Sequence, residues 1–135
     1  MIEKGQFLYF TPPKLAGGDE GTKKRYMLVI ENDTQENSIK MINVSSLKGK
    51  EHNLLYDSNI NIKNFKPLPV PSFAKLNTTY EVDNFKDLDN YKAFNNAKLT
   101  EIQMQEIENK RIQYMKDNNI DTIQYTAEEF KRYNS

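Results

Sequence analysis

The chain has 135 residues, with 19 Lys+Arg against 19 Asp+Glu and no cysteine. That length suits one domain with a single modest core. A neutral total excludes a global pull toward nucleic acid or an anionic membrane, and the lack of cysteine excludes disulfides and thiolate metal sites. No apolar run approaches the ~20 residues of a bilayer span. Met1-Ile2-Glu3-Lys4-Gly5 has none of the parts of a signal peptide, so a soluble cytoplasmic protein is expected. Residues 1–75 hold 11 Lys+Arg against 8 Asp+Glu, and residues 76–135 hold 8 against 11. Any polyanion site is therefore expected in the N-terminal half, as a local patch.

In chain order, Phe7-Leu8-Tyr9-Phe10 predicts a strand over 6–10, stopped by Pro12-Pro13, whose rings cannot continue a ladder. Gly17, Gly18 and Gly21 predict a flexible hairpin tip. Residues 25–31 read as a strand, apolar enough from Met27 to Ile30 for burial on both faces. After a polar turn, a strand is predicted over 38–45, with Ile39, Met41 and Asn43 on one face. Residues 47–66 are less regular, with candidate strands near 53–56 and 60–65. Pro67, Pro69 and Pro71 impose an extended stretch, followed by a strand over 73–82. Residues 83–97 read as a connection carrying a short helical turn.

Thr100 and Gln103 form a capping box for a helix over about 100–116, with Met104, Ile107, Arg111 or Ile112, and Met115 as its apolar stripe. Residues 120–125 are extended, and Thr126 with Glu129 makes a second capping box. Five or six short strands with one dominant late helix predict a mainly β, α+β fold: a small, strongly bent antiparallel sheet or barrel with a packed helix. The expected organisation is a barrel with its helix over 1–117 and a short extension over 118–135, helical from about 126.

The chemistry is limited. One histidine, His52, in a polar stretch offers no acid–base partner. No carboxylate or histidine spacing matches a metal site, and no Gly-rich nucleotide loop follows a strand. Lys23, Lys24 and Arg25 sit at the start of one strand, and Ser45 and Ser46 end the next. Guanidinium and hydroxyl groups suit a phosphodiester; the competing reading is a solvated hairpin tip. Tyr9, Phe10 and Tyr26 are candidates for stacking on unpaired bases, or for core.

Lys4-Gly5-Gln6-Phe7 opening a strand, Gly-x-Lys-Lys-Arg before an apolar strand, Glu31-Asn32-Asp33-Thr34 after it, and Val44-Ser45-Ser46 ending the next resemble the MazF/PemK toxin family. Lys98-Leu99-Thr100-Glu101-Ile102, with Met104, Glu106 and Ile107, looks like the start of that family's terminal helix. The resemblance covers about residues 4–116. Tyr26 stands where the family usually has proline after the arginine, and Tyr80 or Lys75 stands where a second arginine is frequent.

The resemblance implies an SH3-like barrel and a homodimer. It also implies a metal-independent endoribonuclease that cuts single-stranded RNA sequence-selectively, without cofactor, and is blocked by a cognate antitoxin protein. Arg25 and Ser45 would be catalytic, with Lys23, Lys24, Ser46 and Tyr80 binding substrate. Arg25 would neutralise charge growing on the phosphate and Ser45 would hold a non-bridging oxygen. The alternative is a non-catalytic barrel of the same ancestry that binds nucleic acid or a protein.

Overall fold

β1 (Gln6–Phe10), β2 (Arg25–Asp33) and β3 (Ser38–Ser46) form an antiparallel meander in the computed structural model, which describes residues 1–16 and 23–135. The hairpin tip expected on Gly17, Gly18 and Gly21 lies outside the described residues. Apolar side chains leave both faces of β2. Met27 and Val29 enter one core, with Leu8, Phe10, Met41 and Tyr80; Leu28 and Ile30 enter a second, with Phe7, Ile42 and Val44. Each such burial contributes about 1.5–3 kcal/mol, so β2 is the element both cores depend on. The β2–β3 turn is set by Asp33, whose Oδ1 accepts the N–H groups of Gln35 at 3.1 Å and Glu36 at 3.0 Å.

The other strands are β4 (Asn59–Ile62), β5 (Ser72–Lys75), β6 (Thr78–Asp83), β7 (Lys92–Lys98) and β8 (Asp121–Tyr125). Together they make one eight-stranded sheet along the path β4-β5-β3-β2-β1-β7, with β6 on β3 and β8 on β6. All pairings are antiparallel except β6 with β8, and the sheet is not closed. The mainly β, α+β class expected from the sequence is the observed one. α1 (Glu101–Asp117) lies over the second core through Met104 and Ile107, and α2 (Ala127–Asn134) over the first through Phe130.

Several expectations are revised. Residues near 53–56 form a 3-10 turn, Glu51–Leu55, rather than a strand. The single strand expected over 73–82 breaks at Leu76-Asn77 into β5 and β6. Residues 92–98 form β7, with register jumping from Gln6↔Lys98 to Phe7↔Ala93. The intervening residues include Phe94 and Asn95 at φ 61° and 57°. The apolar stripe is shorter than its sequence: Met104 and Ile107 are buried, whereas Ile112 and Met115 are exposed, and the inward face continues instead through the half-buried Arg111 and Tyr114. Residues 118–135 add β8 to the sheet and the fully buried Phe130 to the core.

Candidate anion-binding site

The break between β5 and β6 makes room in the sheet. Val44 pairs with Ala74 and Met41 with Tyr80, so five residues of the β5–β6 chain lie between these pairs where β3 has two. The surplus interrupts the ladder between β5 and β6, and such irregularities commonly re-aim side chains next to a site. Lys75, Asn77 and Thr78 lie at this break and line a cavity of about 240 Å³. Arg25, Asn43, Leu15, Ala16 and Tyr80 complete its lining.

The sheet alternation explains the convergence. Arg25 is two residues before Met27, on the same face of β2, and Asn43 is the register partner of Met27 on β3. Lys75 ends β5, one step along from the Val44–Ala74 pair and so beside Asn43. Three adjacent strands therefore send Arg25, Asn43 and Lys75 to one side.

Two polar atoms there have no partner among the described residues: Arg25 Nε and Asn43 Oδ1, both buried. Leaving a buried polar group unpaired costs about 1–3 kcal/mol, a penalty that a bound ligand relieves. Neither Arg25 nor Lys75 makes an ion pair among the described residues. Burial, with help from Arg25 and then Lys50, holds the Lys75 ammonium below the usual lysine pKa. Burial pushes the Tyr80 hydroxyl up, partly offset by the Ala16 N–H that donates to it at 3.2 Å and by Arg25. No carboxylate or histidine is among the described residues lining the cavity. Two cations facing a half-enclosed space, with no counter-charge among the described residues, suit an anion.

Of the predicted site residues, Arg25 and Tyr80 meet in this cavity. Ser45 lies one register step past the Tyr26–Val44 pair, across from Arg25 and beside Phe73, and is not among the lining residues. The Ser46 hydroxyl accepts the Lys48 N–H at 3.1 Å and closes a local turn. Lys23 and Lys24 are exposed just before β2.

Lys24 leans to the other face, its Nζ 5.7 Å from the Tyr9 ring. There Tyr9 stacks on Tyr26 at 4.4 Å and Tyr26 on Phe94 at 5.3 Å, a ladder open to solvent at Tyr9. Phe10 is core, 4.6 Å from Phe130 and fully buried, so it offers no stacking surface.

Sequence reasoning did not place Asn43 in the site. Its signal was present: an amide on the face of β3 that otherwise carries Ile39 and Met41. Lys75 was visible only as a substitute for a missing arginine, since the break that brings it inward has no proline or glycine to mark it.

A larger cleft of about 620 Å³ between α1 and β4 carries both charge signs, with Lys63, Lys110 and Glu106, and lacks such convergence. Among the described residues, no group of three or more His, Cys, Asp and Glu could hold a metal ion, and no helix is long and apolar enough to cross a membrane. No protein-family model matches this chain, and no curated protein matches it either.

Proposed function

We propose that the protein is a metal-independent, sequence-selective endoribonuclease of MazF/PemK type, the cytoplasmic toxin of a toxin–antitoxin pair acting on single-stranded RNA. The observation that carries this reading is that Arg25 and Lys75, neither in an ion pair among the described residues, meet in one cavity beside Asn43, whose buried Oδ1 has no partner among them. RNA supplies its own nucleophile in the 2′-hydroxyl, so cleavage needs positioning and charge stabilisation more than a protein nucleophile. Arg25 grips the scissile phosphate and offsets the charge that builds on its equatorial oxygens. Lys75 supplies the second positive charge at the place where the family often has arginine. Ser45, across from Arg25, bonds a non-bridging oxygen, and Tyr80 shapes the wall. Lys23 and Lys24 attract the flanking backbone, and the Tyr9–Tyr26 stack offers a surface for an unpaired base.

The SH3-like barrel, the homodimer and an antitoxin that covers the groove belong to the same reading. The open sheet would be a variant of that barrel, extended by β8. No cofactor is needed in this scheme.

The test is cleavage of mixed-sequence single-stranded RNA in the presence of chelator. Wild type should cut at defined sites, and Arg25→Ala should slow cutting ~100–1000-fold, the usual effect of deleting one strong electrostatic donor. Ser45→Ala should slow it less, because a neutral hydroxyl makes the weaker bond. A folded wild type that binds RNA or a protein without cutting RNA would favour a non-catalytic barrel of the same ancestry.

A further inference from the structure

We propose that Lys75 is the proton donor to the leaving oxygen in this site, an inference that rests on the ribonuclease reading above. Breaking a phosphodiester leaves an alkoxide unless a proton arrives with the departing 5′-oxygen. The cavity offers few sources. Among the described lining residues only Arg25, Lys75 and Tyr80 carry a titratable proton. A guanidinium holds its proton too firmly to hand it over. Tyr80 is made a poorer acid by its burial. The Lys75 ammonium is moved the other way, toward easier release.

Position agrees with chemistry. β3 runs between β2 and β5, so Arg25 and Lys75 reach the cavity from opposite sides of Asn43. A phosphate seated over Asn43 would meet the guanidinium on one side and the ammonium on the other. Among the described residues, the groups facing Lys75 are Arg25 from β2, Tyr80 from β6, Lys50 from the turn after β3, and the uncharged Asn43 of β3 and Asn59 of β4. None of these is an acid that would hold the ammonium in a salt bridge.

The 2′-oxygen bonds to phosphorus while its proton passes to water. The bond from phosphorus to the 5′-oxygen breaks, and Lys75 gives that oxygen a proton. The products are a 2′,3′-cyclic phosphate and a 5′-hydroxyl, and the neutral amine regains its proton from solvent.

The experiment uses an oligoribonucleotide holding one linkage that the wild type cuts, made with either oxygen or sulfur at the 5′ bridging position. A thiolate leaves without being protonated. Lys75→Gln and Lys75→Arg should each slow the oxygen substrate by ~100-fold or more, the scale of a general acid, and the sulfur substrate by a few-fold at most. Arg25→Ala should slow both substrates alike. Lys75→Arg keeps the charge, so its defect isolates the transferable proton from electrostatics. If Lys75→Arg matches wild type on oxygen, or loses the same factor on both substrates, the proton-donor role is overturned while the ribonuclease reading stands. A wild type that cuts no RNA overturns both.

Discussion

At the scale of single residues, the cavity holds polar groups that cost stability. Asn43 carries an unpaired, buried amide oxygen on the face that holds Met27 and Met41. Asn43→Val removes that orphan and suits a strand, so we expect it to raise the unfolding free energy by about 1 kcal/mol and, if the proposed function holds, to weaken RNA binding. Thermal melts and RNA titration on the same variant check both halves.

Lys75 adds a pH-dependent term. Its folded pKa lies below the unfolded value of 10.5, so the native state binds fewer protons in the interval between them. Stability gained from this residue therefore rises with pH through that interval, and the penalty is complete below it. Lys75→Met, which has no charge to desolvate, should be more stable than wild type at neutral pH. Its advantage should shrink as pH climbs toward 10.5, read from urea unfolding across the alkaline range.

At the scale of elements, what could be read from sequence depended on whether a local signal existed. Both capping boxes form as expected. The Thr100 hydroxyl accepts the Gln103 N–H at 3.1 Å, and the Thr126 hydroxyl accepts that of Glu129 at 3.1 Å. Caps are written in three or four consecutive residues, so they survive without tertiary information. We expect Thr100→Ala to destabilise by ~1 kcal/mol, seen as a lower urea midpoint with unchanged slope.

β7 is the opposite case. Its Asn95-Asn96 step reads as loop, and only pairing with β1 makes Lys92–Lys98 a strand around that step. The β5–β6 break is likewise imposed from outside. β5 is flanked by antiparallel β4 and β6 by parallel β8, so the two halves of one apolar stretch answer to different neighbours. Arg25 was legible because it sits in a run of cations. The cavity it serves was not, because that depends on the break.

At the scale of the whole molecule, the C-terminal segment is structural. Phe130 is fully buried and touches Phe10 at 4.6 Å, Tyr91 at 4.9 Å and Phe85 at 5.4 Å, contacts drawn from β1 and the segment after β6. Phe130→Ala should cost about 3–5 kcal/mol through lost burial and the cavity left behind. Calorimetry would show one transition moved to lower temperature, since the same core holds β1, β2, β3 and β6. Two separate transitions would instead mean that residues 118–135 melt on their own.

The last residues also hold the first loop. Asn134 accepts the Thr11 N–H at 2.7 Å and donates to the Thr11 carbonyl at 2.8 Å, and the Tyr125 hydroxyl donates to the Lys14 carbonyl. Leu15 and Ala16, one wall of the cavity, follow directly on that tethered stretch. Thr11 and Asn134 are 123 positions apart in sequence, so this wall is held by the most distant hydrogen-bonded partners among the described residues. Undocking α2 would free the loop and open the cavity while the β1–β2–β3 ladder stayed paired. The cavity's shape is thereby tied to the docking of a helix that contributes no side chain to it.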